Sequence, residues 1–315
     1  MRAAVVHKLG AVPVVEERPE PVRGGGQVLV QTAAAGLNPV DLAITGGSFY
    51  AGHPPLPFTA GREGVGRVLE ADSFEPGTRV YARNAGTGSL AERFVADESE
   101  TWALPDGDDD ALAVGLGIAG LAGWVAVSER GRLRKGERVL VLAATGVAGS
   151  VAVEASRILG ASRVVAAGRD RDRLERARLL GADETIHIGD GFQEAIRAAF
   201  PDGGPDLVID PLWGPPALAA IAAAPVGMRL VNLGQSAGAS IELASAAVRG
   251  RRLEIIGHTV FEASVNDLAA AHREMLEHAR TGTLQLELDV YPLDRLPEAW
   301  ERLRAGSDRK LVVTP

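Results

Sequence analysis

The fold is decided by the stretch Arg138-Val-Leu-Val-Leu-Ala-Ala-Thr-Gly-Val-Ala-Gly149, in which an apolar run leads into a glycine-containing turn. The amphipathic segment 149–159 follows, and a second apolar run lies at 164–167. This order of strand, turn, helix and strand is typical of the first half of a dinucleotide-binding fold. The turn would direct backbone N–H groups toward a pyrophosphate at the positive end of the helix; a purely structural turn is the alternative. The candidate ligands are Thr145, Gly146, Val147, Ala148 and Gly149.

The end of the second apolar run discriminates between the two nicotinamide dinucleotides. An NAD site usually presents an acidic side chain here to the ribose 2′-hydroxyl, whereas this chain presents Gly168-Arg169. A guanidinium group binds a phosphate through two parallel hydrogen bonds. The sequence therefore favours NADPH over NADH, with Gly168, Arg169 and Arg173 as candidate ligands. The alternative is a solvated helix start in which the arginines pair with Asp170 and Asp172.

Composition and charge limit the classes of protein to which the chain can belong. Its 315 residues, 46% of them hydrophobic, suffice for two domains with buried cores. The net charge of −8 argues against nucleic-acid or anionic-membrane binding. The longest uncharged run, residues 111–127, is short for a membrane span and predicts a buried helix. The first residues have no apolar run long enough for a signal peptide, so we expect a cytoplasmic protein.

Metal-binding side chains are sparse in the sequence. The chain has no cysteine, which excludes disulfides and thiolate metal sites. Its six histidines are scattered along the chain. Only His272 and His278 share a predicted helix, and their spacing of six residues does not place them on one face. We therefore expect a protein without a metal.

Two patterns of secondary structure divide the chain. Before about residue 113, short β-favouring segments alternate with loops rich in proline and glycine. Between about 117 and 258, apolar strands alternate with helices, which predicts a parallel sheet covered by helices. Short strands return at 286–291 and 311–314, so we expect the C-terminal segment to join the first domain. The predicted strands of the two main regions span 3–7, 28–34, 64–70, 79–82 and 91–96, and 139–143, 164–167, 184–187, 207–212, 230–233 and 253–256.

Several motifs in this order resemble the medium-chain dehydrogenase/reductase superfamily, and specifically its zinc-free quinone oxidoreductase branch. They include Gly36-Leu-Asn-Pro-Val-Asp41, Gly61-Arg-Glu-Gly-Val-Gly66, the turn at 144–149 and Ile255-Ile-Gly-His-Thr-Val-Phe261. The resemblance covers essentially the whole chain. It implies an α/β protein with a GroES-like, mostly-β catalytic domain over residues 1–116 and 259–315. The doubly wound Rossmann domain that binds NADPH would span residues 117–258.

The resemblance also implies positions for the site residues. Asn38 and Asp41 would lie near the nicotinamide ring, although Asn38 could instead shape a turn and Asp41 could cap the following helix. The segment 233–235 and His258 with Phe261 would border the ring, and His258 would orient a substrate carbonyl unless it is structural. Lys310 resembles a basic residue that reaches the cofactor phosphates, with a surface lysine as the alternative. The candidates in the segment 233–235 are Leu233, Gly234 and Gln235.

The expected chemistry follows from what replaces the zinc ligands of related enzymes. Asn38 stands where zinc-dependent members have a cysteine, and Arg62 where they have a histidine. Without a Lewis acid, reduction of a quinone or another α,β-unsaturated carbonyl is the expected reaction. The family's tyrosine positions hold Ala43 and Phe49 here. Tyr50 is therefore the candidate proton donor, and solvent is the alternative source of the proton.

Two other functions remain open on the sequence. An enoyl-thioester reductase of lipid or polyketide synthesis would need a proton donor and a basic groove for its carrier. A NADPH-binding sensor or scaffold protein would bind the cofactor with little turnover. For any of these functions we expect a homodimer, joined through the apolar edge strand at 253–260 of the nucleotide domain.

Overall fold

The apolar runs of the second half form one parallel sheet in the computed structural model, which describes all residues, 1–315. Its six strands have the order β11-β10-β9-β12-β13-β14, in which the first strand in the chain is central and the order reverses beside it. This is the strand order of a doubly wound dinucleotide-binding sheet, and a ligand binds where the order reverses. The strands are β9 (Arg138–Val141), β10 (Arg163–Gly168), β11 (Glu184–His187), β12 (Leu207–Asp210), β13 (Arg229–Asn232) and β14 (Glu254–Gly257).

Helices connect these strands and bury most of them. Val139, Leu140 and Val141 of β9 have no exposed surface, as expected for a central parallel strand covered on both faces. Only β14, at the sheet edge, is largely exposed. The helices of this part of the chain are α3 (Leu121–Val125), α4 (Val147–Ile158), α5 (Arg171–Leu179), α6 (Phe192–Ala199), α7 (Gly214–Ala222) and α8 (Ser245–Arg251).

The first part of the chain and its C-terminal end form two further sheets of short strands, in which every pair is antiparallel except the last two strands of the chain, which pair in parallel. The long strand β3 pairs with β5 and β7, and the C-terminal β16 pairs with β3. The strands are β1 (Arg2–Val6), β2 (Val14–Glu17), β3 (Gln27–Leu37), β4 (Phe58–Thr59), β5 (Glu63–Glu70), β6 (Arg79–Ala82), β7 (Arg93–Asp97), β8 (Thr101–Ala103), β15 (Leu288–Pro292) and β16 (Lys310–Thr314). The accompanying helices are α1 (Pro39–Thr45), α2 (Asp110–Gly115), α9 (Val265–Arg280) and α10 (Leu296–Ala305).

The chain divides into two units along these lines. Unit 1 comprises residues 1–119, 263–276 and 286–315, and unit 2 comprises residues 120–262 and 277–285. The predicted division was 1–116 with 259–315 against 117–258. The difference arises mainly at residues 277–285, which belong to unit 2. Within unit 2, the backbone N–H of Gln285 donates to Glu154 of α4 at 2.7 Å.

The prediction of one buried helix over residues 111–127 was wrong in one respect. The segment is largely buried, but Gly117 has non-helical angles (φ −65°, ψ −125°) and interrupts it. A Cβ at Gly117 would lie 2.1 Å from Glu63 Oε2 and 2.5 Å from the Tyr81 ring. The chain therefore leaves the helical path where it passes Glu63. Residues 110–130 are long and apolar enough to span a membrane, but 72% of the most apolar window is buried inside the structure.

Candidate functional site

The glycine-containing turn after β9 has two glycines in different surroundings. Gly149 is required by packing, because a Cβ there would lie 2.2 Å from the Ala143 carbonyl oxygen. Gly146, which precedes the first residue of α4, is different: a Cβ there would approach nothing closer than 3.7 Å. Packing within the protein does not explain this glycine, whereas close approach of a ligand to the backbone does. The turn residues 145–148 are half-buried, and the Gly146 N–H already donates to the Ala143 carbonyl at 3.1 Å.

Next to this turn, the end of β10 presents Arg169 rather than a carboxylate. Arg169 is exposed, and only its backbone carbonyl is bonded, to His187 Nε2 at 3.0 Å. The neighbouring Asp170 is used as the N-cap of α5, where Oδ1 accepts from the backbone N–H groups of Asp172 and Arg173 at 3.1 Å. Arg173 also pairs with Asp170 at 3.3 Å, as the solvated-helix alternative predicted. Of the predicted ligands on this turn, Arg169 is thus the one whose guanidinium is available to bind a ligand.

The ends of β12 and β13 are tied together by hydrogen bonds. The buried Asp210 accepts at Oδ1 from the backbone N–H groups of Leu212 and Trp213, at 2.9 and 2.8 Å. Asn232 Nδ2 donates to Asp210 Oδ2 at 3.1 Å and to the Gly234 carbonyl at 2.8 Å. These bonds fix the predicted segment Leu233, Gly234 and Gln235 at the carboxyl edge of the sheet, with Leu233 and Gly234 half-buried and Gln235 exposed.

His258 and Phe261 follow β14 in the same unit, and both are half-buried. Burial and, to a smaller extent, the Arg130 guanidinium lower the pKa of His258 to about 4. The ring is hydrogen-bonded to the Ala122 backbone, and Nε2 has no hydrogen-bond partner. The single N–H of the neutral imidazole is thereby placed on Nδ1, and Nε2 can only accept. Orienting a substrate carbonyl requires a donor, which this tautomer does not present at Nε2, and the predicted role of His258 stays a prediction.

In unit 1, the sequence-predicted Asn38 and Lys310 meet around a residue that was not predicted, Glu63. The Glu63 carboxylate has no exposed surface and accepts four hydrogen bonds. Oε1 accepts from Asn38 Nδ2 and Lys310 Nζ, both at 2.7 Å. Oε2 accepts from the Tyr81 hydroxyl and the Ile118 backbone N–H, both at 2.6 Å. We call Asn38, Glu63, Tyr81 and Lys310 the Glu63 network.

The Glu63 network changes the interpretation of two predicted ligands. Lys310 is 1% exposed and its ammonium bonds to Glu63 and to Asn38 Oδ1, at 2.7 Å each. It is therefore not a surface lysine, and its contact with the cofactor phosphates stays a prediction. Asn38 is also 1% exposed, and its amide donates to Glu63 and accepts from Lys310. Both amide atoms are thus bonded inside unit 1, and the contact of Asn38 with cofactor or substrate stays a prediction.

Further buried groups surround the Glu63 network. The Tyr81 ring packs edge-on against His272, with ring centroids 4.9 Å apart. Trp102 Nε1 donates to His272 Nδ1 at 3.1 Å, so His272 Nε2 carries the proton that bonds to the Ala113 carbonyl at 2.9 Å. Burial lowers the pKa of His272 to about 4. The imidazole is thus neutral near pH 7, and it packs against the Glu63 network without adding a charge.

Asp41 differs from the Glu63 network in keeping one unused oxygen. Its Oδ2 accepts from the Asn38 backbone N–H at 2.8 Å, as a helix cap does, whereas Oδ1 has no hydrogen-bond partner. Asp41 is 1% exposed and lines a cavity of about 30 Å³ together with Arg62 and Thr45. Burial raises the pKa of Asp41 from 3.8 to about 7, against the lowering effect of the hydrogen bond from Asn38. The carboxyl group is therefore partly protonated near neutral pH.

Tyr50 lies apart from these buried groups. It is 76% exposed, and its ring contacts Phe49 at a centroid distance of 4.5 Å. The predicted catalytic residues of unit 1 therefore fall into two sets, with Asn38 and Asp41 beside Glu63 and Tyr50 on the surface. Glu63, Tyr81 and His272 were missed by sequence reasoning. The one local signal for Glu63 was its position between two glycines in Gly61-Arg-Glu-Gly-Val-Gly66.

Comparison with known proteins identifies relatives over the whole chain. The family model of the alcohol dehydrogenase GroES-like domain matches residues 24–106, and that of the zinc-binding dehydrogenase matches residues 148–277. Quinone oxidoreductase-like protein 2 of Bos taurus is 31% identical over 75% of this chain and 69% of its own length. The quinone oxidoreductase of Homo sapiens is 26% identical over 98% of this chain and 95% of its own.

A solved structure agrees with these sequence matches. The quinone oxidoreductase of Thermus thermophilus, described together with its complex with NADPH, is 28% identical to this chain. It superposes with a TM-score of 0.83 and covers 100% of both chains. The GroES-like sheets of unit 1 and the six-stranded parallel sheet of unit 2 are the two parts that this fold combines. The chain belongs to the quinone oxidoreductase branch of the medium-chain dehydrogenase/reductase superfamily.

Proposed function

We propose that this chain is an NADPH-dependent reductase that transfers hydride to quinones or other α,β-unsaturated carbonyls. Its family consists of NAD(P)-dependent oxidoreductases that act on small molecules, and the names of its relatives support the acceptor class. The observation that carries the choice of NADPH is the exposed Arg169 at the end of β10 beside an Asp170 that already caps α5. A 2′-phosphate would bind the guanidinium, whereas an NADH ribose would find no free carboxylate at this position.

The residues of unit 2 suit the two halves of this cofactor. The turn 145–149 and the beginning of α4 would hold the pyrophosphate, with Gly168 and Arg169 at the adenosine end. The segment 233–235, fixed by Asn232 and Asp210, would border the nicotinamide end. When bound, the cofactor supplies the hydride that reduces the acceptor. A conjugated acceptor spreads the resulting charge onto its own carbonyl oxygen, so it demands less electrostatic help from the protein than an isolated ketone.

The test of cofactor choice is a comparison of Arg169→Ala with Arg178→Ala. Arg178 lies in the last turn of α5 and pairs with Glu175 at 3.5 Å, so its variant controls for loss of a surface arginine. We expect Arg169→Ala to weaken NADPH binding, measured by calorimetry, about tenfold to a hundredfold, while NADH binding stays the same. Arg178→Ala should bind both cofactors like the wild type. Equal affinity of the wild type for NADPH and NADH would refute the choice of NADPH.

The acceptor class is tested by following NADPH oxidation with para- and ortho-quinones, small enones and a crotonyl thioester. We expect turnover of quinones and enones. Turnover of the thioester alone would instead establish an enoyl-thioester reductase, and tight NADPH binding without turnover would establish a sensor or scaffold protein.

The exposed edge strand β14 supports a further proposal, a homodimer joined through this strand. Ile255 on this strand is 41% exposed, and a monomeric mass by light scattering at micromolar concentration would refute the dimer.

A further inference from the structure

Asp41 lines a cavity and has the one buried acidic oxygen near the Glu63 network without a hydrogen-bond partner. Asp41 Oδ1 is unpartnered although the side chain is 1% exposed. The cavity, of about 30 Å³, is also lined by Arg62, Thr45, Gly61 and Gly88. A volume of this size holds about two water molecules, and a buried water needs polar partners. Asp41 Oδ1 can accept a hydrogen bond from such a water, and the Arg62 guanidinium can donate one to it.

The other buried polar groups of unit 1 are less suited to exchange a proton. Glu63 accepts four hydrogen bonds, one of them donated by the Tyr81 hydroxyl. Lys310 donates to Glu63 and Asn38. His272 is bonded at both ring nitrogens. Asp41 alone combines a free oxygen, a cavity for water and a second oxygen that fixes the side chain to the Asn38 backbone.

We propose that Asp41 is the proton donor in the reduction of enones, delivering its carboxyl proton through water in this cavity to the substrate. This inference rests on the proposed function. Hydride addition to the β-carbon of the enone moves the π electrons of the C=C bond toward the carbonyl and leaves an enolate. The O–H bond of the Asp41 carboxyl group breaks, its proton passes to the cavity water, and that water protonates the α-carbon of the enolate, which forms the C–H bond of the saturated ketone. The Asp41 carboxylate then regains a proton from solvent, so that one enone, one NADPH and one proton are consumed.

The charges around Asp41 suit this task. Its pKa of about 7 results from burial and the Glu63 carboxylate, which raise it, against the Asn38 hydrogen bond, Lys310 and Arg62, which lower it. A donor is most effective when its pKa lies near the working pH, because the proton is then present and can still be released. Quinones serve as an internal control, since the hydroquinone oxygens are acidic and the product needs a protein donor much less than an enolate does.

The experiment compares enone and quinone turnover at saturating NADPH in the wild type, Asp41→Asn and Glu154→Gln. Asparagine keeps an acceptor for the Asn38 N–H, so the cap of α1 is retained. Glu154→Gln makes the same carboxyl-to-amide change at another buried acid, in unit 2. We expect Asp41→Asn to lower the ratio of enone to quinone kcat about a hundredfold, the contribution typical of a general acid. Glu154→Gln should leave that ratio unchanged.

The outcomes separate the proposals. An equal loss with both acceptors in Asp41→Asn, or no loss with either, would show that Asp41 is not the donor while leaving the proposed function intact. Absence of wild-type turnover with every acceptor would refute the proposed function and the role of Asp41 with it. The wild-type kcat for enones should fall as the pH rises through about 7, the pKa of Asp41, and this dependence should vanish in Asp41→Asn.

Infrared spectroscopy tests Asp41 without relying on turnover or on the stability of Asp41→Asn. Glu154 also has a raised pKa, of about 8, so the measurement is made on the Glu154→Gln protein, which retains Asp41. We expect a protonated-carboxyl band at pH 6 that is lost by pH 8. Absence of the band at pH 6 would mean that Asp41 is already ionised, and a band that persists at pH 8 would mean that Asp41 does not release its proton in this range; either result would overturn the proposal.

Discussion

In unit 1 the polar side chains around Glu63 are buried and bonded to one another, whereas in unit 2 the groups around the glycine-containing turn are accessible. Glu63, Asn38 and Lys310 are at most 1% exposed. Arg169 and Gln235 are exposed. Polar groups whose hydrogen bonds are all made within the protein keep the surrounding residues in fixed positions. Polar groups without such partners are available to bind a ligand. The comparison therefore assigns positioning to the Glu63 network and ligand binding to unit 2, with Asp41 as the exception in unit 1.

The largest effect is expected from removing one charge of the Glu63 network. Lys310→Met keeps the length of the side chain but leaves the Glu63 carboxylate buried without its cation. We expect the free energy of unfolding to fall by about 3–5 kcal/mol, because the remaining charge is uncompensated. Urea denaturation measures the change. The matched control is Arg295→Met, which breaks an exposed pair with Glu298 and should leave the free energy of unfolding almost unchanged.

A second substitution should restore part of the stability that Lys310→Met loses. In the double variant Lys310→Met with Glu63→Gln, both charges are gone, while the glutamine carbonyl still accepts from the surrounding donors. We expect the double variant to be more stable than Lys310→Met alone. If Lys310→Met were as mild as the surface control, the Glu63 network would not be the rigid element described above. If the double variant were less stable than Lys310→Met, the loss would come from packing and not from charge.

A smaller effect is expected from the buried acid of unit 2, Glu154. Burial raises its pKa from 4.5 to about 8, so the folded protein binds a proton that the unfolded chain has released. The resulting stability is fully present below pH 4.5 and is lost as the pH rises toward 8. Glu154→Gln keeps an acceptor for the Gln285 N–H but removes the titration. Between pH 6 and 8 the wild type should lose about 2 kcal/mol relative to Glu154→Gln.

Denaturant titrations of both proteins at three pH values measure this difference. Asp41 titrates in the same range but is present in both proteins, so its contribution cancels. Parallel pH dependences would mean that Glu154 is ionised in the folded protein. That result would also remove Glu154→Gln as a background for the infrared experiment on Asp41, and the band would then have to be measured in the wild type.

For His272 we expect a still smaller change in the free energy of unfolding, and one of opposite sign, because stability falls as the pH is lowered. Burial lowers its pKa from 6.5 to about 4, so the unfolded chain binds a proton that the folded protein excludes. Stability should therefore fall as the pH is lowered through 6.5 toward 4. His272→Gln can still accept from Trp102 and donate to the Ala113 carbonyl. Between pH 6.5 and 5 the wild type should lose about 1.5 kcal/mol relative to this variant, measured by thermal or urea unfolding.

The two units also differ in how much of them could be predicted from sequence. In unit 2, β11 was predicted with its observed bounds and the other strands within a few residues, because buried parallel strands are continuous apolar runs. The glycine turn and Arg169 are likewise local features. In unit 1, Glu63 contacts Lys310 across 247 positions of the chain. Pairing between such distant residues has no local signal, so Lys310 was interpreted from resemblance alone and its burial was missed.

Helices were missed where their sequence signals are weak. The segment of α8, Ser245–Arg251, contains Gly250 and has no buried residue, so neither its propensity nor its periodicity predicts a helix. The break at Gly117 was missed for another reason. Glycine in an apolar run is compatible with a helix, and only the distant Glu63 carboxylate, which accepts from the Ile118 N–H, requires the chain to turn there.

The smallest effect is expected from Tyr50→Phe, which tests whether the buried or the exposed acid of unit 1 donates the proton. Tyr50 is 76% exposed, and water can replace any proton that its hydroxyl supplies. We expect kcat for both quinones and enones to change by less than about threefold, far below the contribution of a general acid. A loss of about a hundredfold with enones would make Tyr50 the donor in place of Asp41. Because Asp41→Asn and Tyr50→Phe each remove one acidic proton, the pair of enone-to-quinone ratios decides between them.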